Sequence, residues 1–553
     1  MNASLAIERS NGIENINASP AKRKQANSLM NEATASRNVY EREIHAVLPR
    51  VLALFDDNPI SRTRGLGDRV YWSWKLIDYA NATPQGLIHG LALLATSGKL
   101  PWNIERASIV ARIDAAIEAT RRQCAADGSL VEAFPNEKSF CVTALIAFDI
   151  LCAADALVGD VDAATLARWR GVVAPMIAFL VKYDETHAII SNHLATAAAA
   201  LSRWTEHCDD DHARRRTREI LDIILRHQSD EGWFMEYDGA DPGYETLGLG
   251  YLADIFVRHP SDDLRAALGR SLRFLAYAAH PDGSFGGMYG SRNTRFIYPA
   301  ALELLAGDFP AAAALAGFAR RSIQARTVPT LSTMDDPNLA PMFNSYCRAF
   351  CSGPVRDIRP AETLPCQSSE RWRLSFAGAG LHIDNDRTHY TIVSTLKGGV
   401  VCHFNKDDRM PRSRIDAGVA IDVGGRIFTT QAPSRQNRIE IDADRLIVES
   451  EFVAAISEQQ TPFKMIVLRM LSLTVFRSRA LLEIVKRMLV RRLITNKSTA
   501  GIRNRRTITF GPDPAISDDL PGSKDLRRIV TDRPFRSIHM ASSGYWQIGD
   551  DRP

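Results

Sequence analysis

The chain has 553 residues, of which 45% are apolar and 24% are charged, and its net charge is +4 at pH 7. This length exceeds one ordinary hydrophobic core and predicts two domains, and the composition is typical of a soluble globular protein. A net charge this small does not indicate nucleic-acid binding. The eight scattered cysteines predict reduced thiols and no metal site, because the one close pair, Cys347 and Cys351, has no second pair at zinc-ligand spacing.

Residues 1–38 are polar and contain no apolar signal-peptide core, so we expect a disordered N-terminal arm. No run of eighteen uncharged apolar residues occurs, which predicts no transmembrane helix. Together with the cysteine usage, these features predict a cytoplasmic protein.

From residue 39 to residue 353 a pattern recurs about every fifty residues. An amphipathic helix is followed by a polar loop and then by a helix rich in Ala, Leu and Gly. Three of the loops share a core of an acidic residue, Gly, and Ser or Trp, at Gly128, Gly232 and Gly283. A period of this length predicts one helical hairpin per repeat, and six hairpins in all.

A single hairpin cannot bury its apolar face, so the six must stack. We expect them to close into an (α/α) toroid, with the small-residue helices inside and the charged helices, such as 200–228, outside. An open helical solenoid is the alternative. In a closed ring, the loops that lead into the inner helices would gather at one face.

Residues 354–553 have a different texture, rich in Val, Ile, Thr and Phe and broken by Gly, Asn and Asp turns. This pattern predicts an antiparallel β-sandwich domain. The fold class is therefore a multidomain α+β protein, an (α/α) toroid followed by a β-sandwich.

A basic amphipathic helical insertion is predicted near 463–497, because residues 464–506 carry twelve Lys and Arg against the single acid Glu483. Three interpretations stay open: a helix packed on the sheet with a solvated basic face, a surface for an anionic polysaccharide or partner, and peripheral adsorption to an anionic membrane surface. No aromatic interleaving or nucleic-acid-binding motif accompanies the charge, so no nucleic-acid partner is expected. The oligomeric state stays open.

Two helix entrances are the candidate site. Asn192 and His193 open one inner helix, and about fifty residues later Pro242 and Gly243 form a turn from which Tyr244 opens the next. The ring would bring both entrances together with Arg292, which lies in the following loop.

A ring of helical hairpins with such entrances, followed by a β-domain, resembles the heparinase II/III-like and alginate-lyase-like polysaccharide lyases over residues 40–550. In that family an asparagine, often beside a histidine, opens an inner helix, as Asn192 and His193 do here. A tyrosine follows some fifty residues later, as Tyr244 does here. A histidine from the β-domain completes the family's site. His403 is the position assigned to it, although the family's histidine-rich turn is absent; His382 and His389 are the alternatives.

The resemblance implies cleavage of an acidic, uronate-containing polysaccharide or oligosaccharide by β-elimination, without a cofactor. Asn192 and protonated His193 would neutralise the uronate carboxylate and stabilise the enolate-like intermediate. Tyr244 would take the C5 proton or return one to the leaving oxygen. Positive charge from Arg292 and Arg295 would lower the pKa of that phenol.

We assign substrate binding to Arg292, Arg295, Glu245, Trp233 and Tyr289. Trp233 also fits a structural role, wedging neighbouring hairpins.

Each assignment has an alternative. Asn192 also suits a helix cap and Tyr244 a packed core position. The acidic residues around Tyr244 also suit an inverting glycoside hydrolase, and they are Glu236, Asp238, Asp241 and Glu245. A non-catalytic polysaccharide-binding or assembly protein of an exopolysaccharide pathway is the remaining alternative.

Overall fold

The computed structural model describes residues 39–185, 189–237, 239–351, 362–407, 413–455, 461–490, 498–520 and 527–530. The predicted N-terminal arm, residues 1–38, lies outside these ranges. So do residues 352–361, which connect the helical and β-rich parts of the chain.

Within the described ranges the helical part consists of six hairpins, each an outer helix followed by an inner helix. They are 39–54 (α1) with Ile88–Thr96 (α2), Arg106–Gln123 (α3) with Phe140–Ala156 (α4), Ala163–Lys182 (α5) with Ser191–His207 (α6), Asp211–Arg226 (α7) with Pro242–Arg258 (α8), Asp262–Ala276 (α9) with Ala300–Leu305 (α10), and Pro310–Ala325 (α11) with Asp336–Cys351 (α12). Short 3₁₀ or π-helical turns occur at Val70–Trp74, Thr83–Leu87, Pro365–Gln367 and Val475–Arg477.

One boundary differs from the sequence expectation. The stretch 200–228 is not a single outer helix, because inner helix α6 continues to His207. The Asp210 side chain then accepts a hydrogen bond from the Ala213 amide at 3.0 Å, which caps the new outer helix α7.

The inner helices form a closed ring in which α12 packs against α2. At the closure, the Gly90 amide donates to Asn344 Oδ1 at 3.0 Å, and Asn344 Nδ2 donates to the Gly86 carbonyl at 2.9 Å. A Cβ atom at Gly90 would lie 2.6 Å from the Phe343 ring, so this contact requires glycine. The predicted toroid is therefore confirmed, and the open solenoid is excluded.

Inner and outer helices differ in how much of their surface they bury. Helix α4 is buried on nearly every side, whereas α7 buries only Ala213, Ile220 and Ile224. Among the described residues, α5 is the one helix long and apolar enough to cross a membrane by length and composition. It is the outer helix of the third hairpin and buries Trp169 and Met176 in the core.

The described residues of the β-rich part form twelve strands in two antiparallel sheets. The strands are Trp372–Phe376 (β1), Leu381–Asn385 (β2), His389–Ser394 (β3), Val400–Asn405 (β4), Ser413–Asp416 (β5), Val419–Val423 (β6), Arg426–Thr429 (β7), Arg438–Ile441 (β8), Arg445–Ala454 (β9), Thr499–Thr509 (β10), Ala515–Asp519 (β11) and Arg527–Val530 (β12). The first sheet has the order β1-β2-β3-β4-β5, and the second has the order β11-β10-β9-β7-β6-β12, with β8 paired to β9.

The first sheet lies between the toroid and the second sheet. Ile383, Tyr390 and Phe404 join the core of the toroid from one of its faces. From the other face, Val393 and Val401 pack against residues of β9 and β10. Strands β2 and β3 are consequently buried on both faces, and the predicted β-sandwich is confirmed.

The basic insertion forms two helices, Pro462–Leu473 (α13) and Arg479–Val490 (α14), while residues 491–497 lie outside the described ranges. The pair contacts loops of the toroid, since Asn136 Nδ2 donates to the Ser472 carbonyl at 2.9 Å. The last arginines of the run, Arg505 and Arg506, belong to strand β10 and form ion pairs within the sandwich.

Candidate active site

Two loops that lead into consecutive inner helices lie side by side. The Ser191 amide, at the start of α6, donates to the Met235 carbonyl at 3.1 Å, and the Tyr237 amide donates to the Ile189 carbonyl at 3.0 Å. Ile190 and Glu236 form an isolated antiparallel bridge between these contacts. The loop before α8 therefore places Glu236 directly beside Asn192, the second residue of α6.

Glu236 is the centre of the resulting cluster. Asn192 Nδ2 lies 2.8 Å from both oxygens of the Glu236 carboxylate, and Arg292 Nη1 donates to Oε1 at 2.7 Å. The exposed fractions are only 3% for Asn192, 3% for Glu236 and 4% for Arg292. Burial raises the pKa of Glu236, and Arg292 and His193 oppose that rise. This carboxyl group is thus closer to taking up a proton than an exposed glutamate.

Arg292 also contacts the phenol that the sequence singled out. Its guanidinium carbon lies 3.8 Å from the centroid of the Tyr244 ring and 5.0 Å from that of Tyr237. Burial raises the pKa of Tyr244 to about 12, against the opposing charge of Arg292. At neutral pH the phenol is therefore protonated, and Arg292 is the group placed to stabilise its phenolate.

His193 provides a second positive charge at the same helix entrance. Its Nδ1 lies 2.8 Å from Glu185 Oε2, and its side chain is 20% exposed. Burial lowers the pKa of His193, but Cys141 and Glu185 outweigh burial and raise it well above its ordinary value. The contact with Glu185 thus favours the protonated imidazole.

Asp241 fixes the geometry of the Tyr244 and Arg292 segments. Its Oδ1 accepts from the Tyr244 amide at 3.2 Å and from the Thr294 hydroxyl, and its Oδ2 accepts from the Arg292 amide at 2.9 Å. Two residues beside the cluster, Tyr237 and Asn293, have φ values of 60° and 61°. Such left-handed backbone is unfavourable for a side chain as bulky as that of Tyr237 and is held by the surrounding contacts.

A lysine from the β-sandwich supports the loop that carries Arg292. Lys397, in the turn between β3 and β4, donates from Nζ to the Met288 carbonyl at 2.5 Å, to the Gly290 carbonyl at 3.0 Å and to Asn293 Oδ1. Burial lowers the pKa of Lys397 to about 8. The sandwich thus contributes to the cluster through a buried contact with its supporting loop.

Two of the residues assigned to substrate binding lie in structural positions. Glu245 is buried and accepts from Ser271 Oγ at 2.5 Å and from the Phe234 amide at 3.4 Å. Burial raises its pKa well above the ordinary value, which favours the protonated form. Trp233 is 3% exposed and donates from Nε1 to Glu231 at 2.8 Å.

Tyr289 and Arg295 lie between the toroid and the first sheet. Tyr289 is buried, and its hydroxyl lies 2.8 Å from His280 Nε2. Arg295 is partly exposed, and its charge acts on His280, Tyr289 and Cys402. In the described part of the chain, Arg295 forms no ion pair with a carboxylate.

His403 points away from the cluster. Its neighbours Cys402 and Phe404 face the toroid, so the alternation of β4 directs His403 toward the second sheet. There its Nδ1 lies 2.8 Å from Thr391 Oγ1 and its Nε2 lies 3.1 Å from the Pro512 carbonyl. His382 and His389, the alternatives, alternate with Ile383 and Tyr390 in the same way and face the second sheet too.

The structure therefore unites Asn192, His193, Tyr244 and Arg292 but leaves the β-domain histidines outside. The sequence predicts Glu236 as one member of an acidic cluster but not its central position. It does not predict Glu185, which pairs with His193, or Lys397, which supports the loop that carries Arg292. Of the other clustered acids, Asp241 and Glu245 have structural partners, and Asp238 lies outside the described residues. Within the described ranges, no group of three or more His, Cys, Asp and Glu side chains could hold a metal ion.

No protein-family model matches the chain, and no curated protein sequence matches it significantly. Among solved structures, chondroitin AC lyase from Streptomyces coelicolor A3, in complex with chondroitin sulphate, aligns over 87% of this chain and 68% of its own, at 11% identity and a TM-score of 0.52. The expected resemblance to heparinase-like polysaccharide lyases is thus confirmed for the fold, a helical toroid followed by a β-sandwich.

Two further structures align less closely. Heparinase III covers 86% of this chain and 79% of its own, at 11% identity and a TM-score of 0.44. A GH127 β-L-arabinofuranosidase from Geobacillus stearothermophilus T6 covers 77% and 93%, at 9% identity and a TM-score of 0.39. These TM-scores are too low to support an argument about this chain.

Proposed function

We propose that this protein cleaves an acidic, uronate-containing polysaccharide or oligosaccharide by β-elimination. The observation that supports it most directly is the continuous contact from Asn192 through Glu236 and Arg292 to the Tyr244 ring. It joins an amide donor, a buried cation and a phenol at neighbouring helix entrances. These are the groups that removal of a proton beside a carboxylate requires.

In the proposed reaction, Asn192, His193 and Arg292 bind the uronate carboxylate. Their hydrogen bonds and positive charge stabilise the second negative charge that develops when the C5 proton leaves. The electron pair of the C5–H bond forms the C4–C5 double bond, and the C4–O bond breaks. Water is not consumed, and the products are a new unsaturated uronate end and a released hydroxyl end.

Tyr244 is the proposed acid–base residue. Its phenolate, stabilised by the Arg292 guanidinium 3.8 Å from the ring centroid, takes the C5 proton. The resulting phenol then returns a proton to the leaving oxygen. Because burial raises its pKa to about 12 in the protein without substrate, the reactive phenolate is a minor species at neutral pH. Arg295 is proposed to bind the acidic group of a neighbouring sugar, since its charge has no carboxylate partner among the described residues.

The test is an ultraviolet assay for the conjugated double bond of an unsaturated uronate, run against a panel of uronate polymers and oligosaccharides. Absorbance should increase with the wild-type protein. Tyr244→Phe should reduce the rate by about 10²- to 10⁴-fold. The matched control is Tyr71→Phe, which removes the hydroxyl of a partly buried tyrosine outside the cluster and should leave the rate unchanged.

Other outcomes would contradict the proposal. New reducing ends without absorbance would indicate a hydrolase, although Asp241 and Glu245 are engaged in structural contacts that disfavour a hydrolytic pair. Substrate binding with neither product would indicate a non-catalytic polysaccharide-binding protein. Equal rates for wild type and Tyr244→Phe would exclude Tyr244 as the acid–base residue.

A further inference from the structure

Helices α13 and α14 present apolar side chains to solvent. In α13, Phe463 is 73% exposed, Ile466 is 62% exposed and Met470 is 59% exposed. Their spacing of three and four residues places them on one face of the helix. Helix α14 repeats the pattern with Ile484 at 53% and Met488 at 60%. We call these five residues the apolar face of the insertion.

The insertion is anchored at the turn between its two helices. Phe476 packs on Phe134 of the toroid with ring centroids 5.5 Å apart. Arg469 pairs with Asp78 at 3.0 Å. On the other side, the Arg479 guanidinium lies 3.6 Å from the centroid of the Tyr183 ring.

These anchors have two consequences. They hold helices α13 and α14 in one orientation on the toroid. They also leave the first half of α13 extending from the body of the protein, because residues 462–467 are all exposed.

The charge of the insertion matches an anionic partner. Residues 461–490 carry six Lys and Arg against the single acid Glu483. Lys464 and Arg477 are exposed in the insertion. A second copy of this insertion would bring like charges together, which disfavours self-association through the apolar face.

The apolar residues distinguish between anionic partners. Exposed patches of this kind mark binding sites. A polysaccharide offers charge for the basic residues but no apolar phase in which Ile466 and Met470 could be buried. An anionic lipid surface offers both, since helices with an apolar face and basic flanks insert at the boundary between headgroups and acyl chains.

We propose that α13 and α14 dock the protein on an anionic lipid surface. The apolar face enters the outer part of the bilayer, and the exposed basic residues Lys464 and Arg477 contact the headgroups. The anchors Asp78, Phe134 and Tyr183 belong to three of the loops that lead into inner helices, the end of the ring that carries Asn192 and Tyr244. Docking therefore holds the entrance of the candidate active site near the membrane, whatever reaction that site performs.

The test uses the full-length protein in flotation with extruded vesicles. Binding should occur to phosphatidylcholine mixed with phosphatidylglycerol and be weak with phosphatidylcholine alone, and added salt should reduce it. The triple variant Phe463→Ser/Ile466→Ser/Met470→Ser should reduce partitioning by about tenfold or more, because each side chain loses its burial in the bilayer. Lys464→Glu/Arg477→Glu should reduce binding to the anionic vesicles as well.

The matched control is Ile60→Ser/Trp102→Ser, which removes two apolar side chains outside the insertion that are even more exposed, at 89% and 98%. Its binding should equal that of the wild type. Absence of vesicle binding, or equal binding by the triple variant and wild type, would overturn the proposal. So would a wild-type oligomer that the triple variant converts to a monomer, because the face would then join copies of the chain. Capture on heparin–agarose without vesicle binding would identify a polysaccharide surface and would overturn it too.

Discussion

Replacing Glu236 with glutamine should destabilise the helical toroid. The substitution preserves the shape of the side chain but leaves the buried Arg292 guanidinium, which is 4% exposed, without the carboxylate that it contacts at 2.7 Å. Neutralising one partner of a buried ion pair lowers the free energy of unfolding by about 3–5 kcal/mol. The new amide group also faces donors on Asn192 and Arg292, so at least one hydrogen bond is lost.

A double variant distinguishes the interaction between Glu236 and Arg292 from the effect of each side chain alone. Glu236→Gln/Arg292→Met removes both charges, so it should recover most of the stability that Glu236→Gln loses. Arg292→Met alone leaves a buried carboxylate. Because burial already raises the pKa of Glu236, the folded protein then binds more protons than the unfolded chain between the two pKa values. The stability of Arg292→Met should therefore fall as pH rises through this window, whereas the double variant should lack this dependence.

The assay is urea unfolding followed by tryptophan fluorescence, for the wild type, both single variants and the double variant, at about pH 5 and about pH 8. The matched control is Glu118→Gln, which breaks an exposed ion pair with Arg121 and should leave the unfolding midpoint unchanged. A double variant as unstable as the sum of the two single variants would show that Glu236 and Arg292 do not interact, and the assigned geometry would be wrong.

Three further predictions concern the phenol and the contact between toroid and sandwich. Because only the Tyr244 phenolate accepts a proton and its pKa is about 12, kcat/KM of the proposed reaction should rise with pH from about 7 to about 10, and a flat profile would exclude this role. The folded pKa of Lys397, about 8, lies below its unfolded value near 10.4, so the folded protein binds fewer protons in this window. Wild-type stability should thus rise with pH there, and Lys397→Met should flatten the pH series of urea midpoints. The Glu231 carboxylate accepts hydrogen bonds from the Gly378 and Ala379 amides of the sandwich, at 2.7 and 2.9 Å. Glu231→Gln should weaken both bonds and lower the free energy of unfolding by about 1–3 kcal/mol. An unchanged urea midpoint would contradict this.

The toroid was predictable because the sequence pattern that specifies each hairpin lies within that hairpin. Each hairpin has its own amphipathic pattern and its own loop, and the repeat of Gly128, Gly232 and Gly283 marks the period. Ring closure followed from the number of hairpins. The order of the strands was not predictable, since pairs such as β9 with β10 depend on contacts across the intervening insertion that no local pattern encodes.

The candidate site was predictable in part for the same reason. Asn192 and Tyr244 open inner helices, and that position can be read from the sequence. The role of Glu236 depends on a bridge to Ile190, and Lys397 contacts a residue 104 positions away, so neither has a local signal. His403 was ambiguous because β4 lies between two cores, and burial on both faces removes the polar–apolar alternation that would show its direction.

The carboxylates of Glu236 and Glu185 stabilise the folded cluster in the absence of substrate, and one of them bears on the proposed chemistry. Arg292 and His193 are buried or nearly so, and unpaired cations there would destabilise the fold by several kcal/mol. Glu236 pairs with Arg292 and Glu185 pairs with His193, so neither side chain is left without a counter-charge. An arriving uronate adds a negative charge beside Glu236, whose pKa is already raised by burial. We therefore expect Glu236 to take up a proton on binding, which releases Asn192 and Arg292 to the substrate carboxylate at the step where they are needed.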